Sequence, residues 1–306
     1  MKFAFFFPGQ GSQSVGMMQG LSDLAVIKET FVEASDLLKQ DFWAMVTEPN
    51  EALNQTTNTQ PLMLTAGIAT WRAWQQHTDK MPSLMAGHSL GEYTALVAAG
   101  ALSFEDALPL VHYRAEVMQS AVAEGVGAMA AILGLDDDVV RSVCNEASQG
   151  QVLEAVNLNS PGQVVIAGNK EAVERGMELA KEKGAKRALA LPVSVPSHCA
   201  LMKPAAEELA AYLKGVQVYK PLIPVLHNAD VLAYSDAEKI KDALVRQLFS
   251  PVRWVETVQY VSAQGITSTA ECGPGKVLTG LTKRIVAELP CVALTNVESI
   301  NEATFA

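Results

Sequence analysis

The pentapeptide Gly87-His88-Ser89-Leu90-Gly91 constrains this chain more than any other stretch. An apolar run, Leu84-Met85-Ala86, precedes it, and Glu92 to Ala99 follow with the character of a helix closed by Gly100. Strand, Gly-x-Ser-x-Gly, helix is the setting of a nucleophile elbow. The flanking glycines are expected to let the backbone turn sharply without a Cβ clash and so lift the serine hydroxyl clear of both elements. The helix then points its free N–H groups toward any negative charge developing at that hydroxyl. The plainer alternative is a glycine-bracketed loop without chemistry.

A chain of 306 residues can bury a large core, as one large domain or two smaller ones. It is 49% hydrophobic, yet no stretch approaches the length of a membrane span. The opening residues Met1 to Pro8 read as a buried first strand rather than a signal peptide. Cys144, Cys199, Cys272 and Cys291 are far apart and form no Cys-x-x-Cys pair, which argues against zinc and against a disulfide framework. The cytoplasm is the expected location. A net charge of −10 disfavours nucleic acid and anionic membranes as partners.

Phe3 to Phe7 suits an interior parallel strand. It leads into Pro8-Gly9-Gln10-Gly11-Ser12-Gln13, a loop that lacks the lysine and the third glycine of nucleotide loops. Gln10 is instead expected at the C-terminal end of a parallel strand, where ligands bind in open α/β sheets. Residues 29–46 and 61–76 read as helices, the second with Pro61 at its first position. Ser103 and Asp106 form a capping box for a helix to about Ala123. From residue 126 the texture changes. Ala128–Leu133, Gln163–Ala167, Val152–Asn157 and Arg187–Val193 read as strands, with helices over Asp136–Ala147 and from the cap Asn169 to about Lys183. That order, β-α-β-β-α-β, is ferredoxin-like. The expected fold is α/β, an α/β-hydrolase-like large domain of residues 1–125 and 195–306 carrying a ferredoxin-like small domain of residues 126–194. In the returning segment His198 opens a helix to about Lys214, Leu222–His227 is a strand, and Ser235 with Glu238 caps a helix bearing Gln247. A helix over residues 253–264, a strand Ile266–Glu271, a helix carrying Lys276, Lys283 and Arg284, and a strand Cys291–Thr295 complete the chain.

Arg114 lies on the helix capped by Ser103, with Leu110, Val111, Val117 and Met118 at helical spacing and no acid to pair with. A guanidinium in an apolar stripe is costly to bury unless a charge meets it. Either a distant internal carboxylate pairs with it, its head snorkels to water, or it awaits a carboxylate ligand. A serine nucleophile also needs a base. Among the five histidines, His198 on its proline-stiffened segment suits a fixed ring, and His227 is the runner-up. Residues between Ser89 and His198 do not single out a third member.

Five motifs then carry a resemblance. Phe-Pro-Gly-Gln-Gly-Ser-Gln at 7–13, Gly-His-Ser-Leu-Gly-Glu-Tyr at 87–93 and Asn-Ser-Pro-Gly-Gln-Val-Val-Ile-Ala-Gly at 159–168 are three of them. Val-Pro-Ser-His-Cys at 195–199 and Glu-Cys-Gly-Pro-Gly-Lys-Val-Leu at 271–278 are the others. In this order they resemble the malonyl-CoA:acyl carrier protein transacylases over essentially the whole chain. The resemblance implies Ser89 as nucleophile and His198 as its base, the histidine held by a backbone carbonyl near Gln247 rather than by an acid. It implies an oxyanion hole from the N–H groups of Gln10 and Leu90, a malonyl carboxylate gripped by Arg114, and a pocket lined by His88 and Asn159. It implies malonyl-CoA and acyl carrier protein as partners in fatty acid synthesis, with neither metal nor cofactor. Candidate basic faces for an acidic carrier are Lys276, Lys283 and Arg284, or Lys181, Lys183, Lys186 and Arg187. A serine esterase or thioesterase shares the elbow, and a non-catalytic carrier-binding module is the remaining alternative.

Overall fold

The computed structural model describes residues 2–193 and 195–303. Ser194, at the expected domain return, lies outside the described residues, as do Met1 and residues 304–306. Strands β1 (Phe3–Phe7), β2 (Leu84–Gly87), β7 (Val225–Leu226), β8 (Ser268–Glu271) and β9 (Cys291–Ala293) form one parallel sheet, in the order β7-β2-β1-β8-β9. Strands β3 (Gly127–Leu133), β4 (Leu153–Ser160), β5 (Gln163–Asn169) and β6 (Arg187–Ala190) form a separate antiparallel sheet, in the order β4-β5-β3-β6. The helices are α1 (Ala25–Leu38), α2 (Phe42–Thr47), α3 (Thr56–Gln75), α4 (Gly91–Ala98), α5 (Phe104–Ser120) and α6 (Asp137–Ser148). They continue as α7 (Lys170–Glu182), α8 (Lys203–Leu213), α9 (Ala237–Gln247), α10 (Trp254–Ala263), α11 (Val277–Ile285) and α12 (Val297–Glu302). The chain is therefore α/β, with one parallel and one antiparallel sheet. No helix among the described residues is long and apolar enough to cross a membrane.

β1 is central because both of its faces are covered, as a parallel strand between two layers of helices requires. Phe3, Phe5 and Phe7 face one core, where the Phe5 ring meets Trp71 and Trp74 edge-on at 5.4 and 4.7 Å. Ala4 and Phe6 face the other, where Phe6 meets Trp254 at 5.3 Å. The antiparallel sheet lays one face on α6 and α7. Its other face packs Met129, Val156 and Val165 against Cys199, the neighbour of His198. Backbone bonds between β4 and Val252, at 2.8 and 3.0 Å, fasten that sheet to the rest.

Several expected boundaries move for identifiable reasons. The helix over 29–46 is two, because Lys39 adopts a left-handed backbone and Asp41 caps a new start by accepting from the Ala44 N–H. Pro61 lies inside α3 rather than at its first position. The carbonyl of Thr57, which a proline at 61 cannot bond, is taken instead by the His112 ring at 3.0 Å. Ser103 caps α5 as read, accepting from the Asp106 N–H, whereas α9 is capped by Asp236 and not Ser235. Asn169 occupies the cap position of α7 but gives its side-chain oxygen to the Val152 N–H. The strand at 222–227 shortens to Val225–Leu226, since Pro221 and Pro224 supply no N–H and Leu222 is exposed. His198 stands five residues ahead of α8 in a turn with φ of +67°.

The elbow glycines avoid a Cβ clash, as expected, and do so without a left-handed backbone of their own. Neither Gly87 nor Gly91 has a positive φ, and the left-handed residue is Ser89 itself, at φ of +51°. The glycines serve close approach. A Cβ on Gly87 would overlap the Gly91 carbonyl, and one on Gly91 would overlap the carbonyl of Phe7, so α4 lies against the ends of β1 and β2. Those neighbours are backbone and cannot rotate away. Gly87→Ala is expected to cost at least about 2–3 kcal/mol, measured as a lowered Tm by calorimetry.

Candidate active site

Ser89 sits at the end of β2, and its left-handed backbone, worth about 1–3 kcal/mol of strain, is fixed from two sides. Its N–H donates to the Asn228 side-chain oxygen at 2.7 Å, while the Asn228 amide group donates to the Gly87 carbonyl at 2.7 Å. Ser89 Oγ lies 2.8 Å from His198 Nε2. His198 Nδ1 lies 2.8 Å from the main-chain oxygen of Gln247, and the His198 N–H donates to the Leu248 carbonyl at 3.0 Å. A carbonyl only accepts, so Nδ1 carries the proton and Nε2 is free to receive the one on Ser89. Burial, then the nearby Arg114 charge, push the His198 pKa down to about 3, against the bond to Gln247 that raises it. The ring is neutral at ordinary pH.

Arg114 is 1% exposed and reaches Ser89 Oγ at 3.4 Å. Its other partners are neutral, the side-chain oxygens of Gln60 at 2.6 Å and Gln247 at 2.9 Å, with the Tyr93 ring beneath the guanidinium at 5.4 Å. No carboxylate contacts it among the described residues, and its Nε has no partner. It does not snorkel. Burial holds its pKa below the usual arginine value.

The loop after β1 lies on the elbow, since a Cβ on Gly9 would overlap the His88 carbonyl and stand 3.7 Å from the Leu90 nitrogen. Gln10 follows, its side chain donating to Thr56 Oγ1 at 3.1 Å. The N–H groups of Gly91, Glu92 and Tyr93 are taken by the carbonyls of His88, Ser89 and Leu90, and that of Ser89 by Asn228. The Leu90 N–H has none of these partners. A polar cleft of about 240 Å³ adjoins Gln10, lined by Asn54, Thr56, Thr57, Gln119 and Val193 among others. The larger depression on the outer face of α1 holds none of these groups. His88 is held by Asn159, its Nε2 2.8 Å from the Asn159 side-chain oxygen on β4, with its ring 5.4 Å from Trp254. Burial lowers its pKa.

The other candidates fall elsewhere. His227 is buried with Nδ1 2.6 Å from Glu92 Oε1, His112 holds the Thr57 carbonyl, and His77 bonds the Ala73 carbonyl. Cys199 donates to the Pro196 carbonyl, and burial pushes its thiol up to about 12. Sequence reasoning missed Gln60, Asn228 and Glu92. The signal for Glu92 was present, since an acid followed by Tyr93, Thr94, Ala95 and Leu96 in a short buried helix is as isolated as Arg114.

Comparison with known proteins places the chain in a class and then in a family. Residues 4–304 match the acyl transferase domain family. The malonyl CoA-acyl carrier protein transacylase of Salmonella typhimurium is 56% identical over 304 residues, covering 99% of this chain and 98% of the relative. The crystal structure of acyl-carrier-protein S-malonyltransferase from Burkholderia pseudomallei 1710b superposes with a TM-score of 0.98 at 60% identity over the whole of both chains. A malonyl-transacylase solved in complex with its type II PKS acyl-carrier protein has a TM-score of 0.98 at 54% identity, covering 100% of this chain and 99% of that one. The chain is thus an acyltransferase by domain. It belongs to the malonyl CoA-acyl carrier protein transacylase family.

The depressed His198 pKa has a consequence for stability. The folded state keeps the ring neutral, whereas the unfolded chain protonates it below about pH 6.5. Its contribution is complete above 6.5 and is lost as pH falls toward the folded value of about 3. Wild type is expected to lose more Tm than His198→Gln between pH 7 and about 4.5. Parallel Tm curves for the two proteins would refute this.

Proposed function

We propose that this chain transfers the malonyl group of malonyl-CoA to the phosphopantetheine thiol of acyl carrier protein, supplying fatty acid synthesis. The observation that carries this reading is Arg114, a buried guanidinium 3.4 Å from the serine hydroxyl with no carboxylate in contact among the described residues. A fork-shaped cation there rewards an acyl group ending in a carboxylate and is left unpaired by acetyl. Simple ester hydrolysis has no use for it.

In this reading Ser89 Oγ attacks the thioester carbonyl as His198 Nε2 takes its proton, forming the C–O bond. The oxyanion meets the N–H groups of Gln10 and Leu90, worth about 3–4 kcal/mol per donor removed in comparable sites. The C–S bond then breaks, and the departing CoA thiolate receives the proton from His198. The carrier thiol then attacks the malonyl-serine carbonyl as His198 takes its proton, and the new C–S bond forms. The C–O bond to Ser89 breaks as His198 returns the proton to Ser89 Oγ. These ping-pong steps use only side chains and amides of this protein. Burial depresses His198 most and the Arg114 charge second, and a malonyl carboxylate on Arg114 would offset that second cause. His88 and Asn159 would form the wall of the acyl pocket toward the second sheet.

The architecture is read as an α/β-hydrolase-like catalytic domain of residues 1–125 and 195–306 with a ferredoxin-like domain of residues 126–194 inserted in it. The strand order β4-β5-β3-β6 from a β-α-β-β-α-β run supports the second part. The proposed location is the cytoplasm, where unpaired cysteines like these four persist.

Brief incubation with malonyl-CoA is expected to add one malonyl group to the wild-type mass, absent in Ser89→Ala and discharged by acyl carrier protein. Free malonate without an adduct would replace this reading with a thioesterase. Arg114→Ala should lose at least about tenfold in malonyl transfer while its acetyl transfer falls less or rises. Equal losses would make Arg114 structural.

A further inference from the structure

Under the elbow lies a buried carboxylate that the reaction steps above do not use. Glu92, in the first turn of α4, is wholly buried. Its Oε2 accepts from the Asn228 N–H and from Gln247 Nε2, both at 2.9 Å, and its Oε1 lies 2.6 Å from His227 Nδ1. Gln247 is the link outward. Its Nε2 also donates to the Ser89 carbonyl at 2.9 Å, its Oε1 accepts from Arg114 Nη2 at 2.9 Å, and its main-chain oxygen holds His198.

An amide has two ends of similar shape, and what surrounds it decides which faces where. Toward Arg114 only an oxygen is acceptable, because a guanidinium donates and never accepts. The opposite end must then meet acceptors, and Glu92 Oε2 with the Ser89 carbonyl are those acceptors. Remove Glu92 and one anchor of the NH₂ group is gone in a buried space where an unmet donor is expensive. The amide can then rotate, and Arg114 loses a fixed partner beside Ser89. The arrangement also settles charge. Glu92 offsets the buried Arg114 across a neutral amide rather than in direct contact, which leaves the guanidinium fork open toward Ser89.

We propose that Glu92 is a positioning residue for acyl selectivity, fixing the Gln247 amide so that Arg114 presents its fork to the carboxylate of the incoming acyl group. This rests on the malonyl-transfer reading of the same site. Glu92 touches neither acyl group nor thiol and acts through Gln247.

The test compares Glu92→Gln, Glu92→Ala and Glu92→Met by the ratio of kcat/KM for acylation by malonyl-CoA and by acetyl-CoA. In Glu92→Gln the new amide oxygen can accept from Asn228 and Gln247, while its NH₂ faces His227 Nδ1, which accepts once its proton moves to Nε2. That variant is expected to keep the ratio within about threefold of wild type. Whichever of the alanine and methionine variants folds, judged by thermal unfolding, should lose the ratio by about tenfold or more, chiefly through malonyl-CoA. Combining it with Arg114→Ala should lower the ratio no further than Arg114→Ala alone. Equal falls for both acyl groups would make Glu92 merely structural and overturn the proposal. Loss of the ratio in Glu92→Gln would also overturn it, even if neither the alanine nor the methionine variant folds. A wild type that takes up no malonyl group overturns the transfer reading and this one with it, whereas malonylation of wild type with an unmoved ratio in the variants overturns this one alone.

Discussion

The last carbonyls of a helix have no N–H partner within it, and this site depends on that fact. α9 ends at Gln247, and the freed oxygens of Gln247 and Leu248 bond the ring and the N–H of His198. One helix end therefore fixes the position, tautomer and backbone of the residue facing Ser89. A carboxylate in that place would orient the ring as well but would raise its pKa. The neutral carbonyl orients it and leaves burial and Arg114 free to keep it unprotonated. Gln247 also uses its side chain on Ser89, Glu92 and Arg114, so a shift of α9 would disturb His198, Ser89 and Arg114 together.

The cost of burying Arg114 is spread over several weaker compensations. Two amide oxygens, an aromatic face and a carboxylate one residue removed take the place of a direct ion pair. A directly paired arginine would have to break that pair to receive a ligand, and a buried pair is hard to break. Neutral amide oxygens hold the guanidinium and leave its charge unmatched, and a carboxylate would add charge-assisted bonds roughly twice as strong as neutral ones. The arrangement is stable enough to fold and leaves the cation a charge to meet.

Local signals made much of this visible in the sequence. The all-buried Phe3 to Phe7 run, the elbow and the isolation of Arg114 each follow from neighbours within a few residues. The β-α-β-β-α-β order was legible for the same reason, since period and turn residues mark each element. Pairings across long separations were not. Asn228 lies 139 residues from the Ser89 N–H it fixes, and Gln247 lies 155 from Glu92. Nothing in a run of residues announces such a bond, because amides and asparagines are common on surfaces. The start of α3 was misplaced because the compensation for Pro61 is a histidine on another helix. That the elbow needs glycines was legible, but not which backbone they make room for, since it comes from Phe7 and Gly91.

Ser89 and His198 both hold left-handed backbones, an arrangement unfavourable for any residue bearing a Cβ. Strain on both partners of one hydrogen bond persists only where surrounding groups over-determine it. Here those groups come from both sheets. Asn228 just past β7 and Gln247 at the end of α9 hold the serine and histidine from the parallel-sheet side. From the antiparallel side, Asn159 on β4 holds His88 and the core around Cys199 fixes the turn after His198. The second sheet is therefore part of what keeps the strained pair in register. Loosening its contacts at Asn159 or Cys199 would relax the very geometry that brings Ser89 Oγ to 2.8 Å from His198 Nε2.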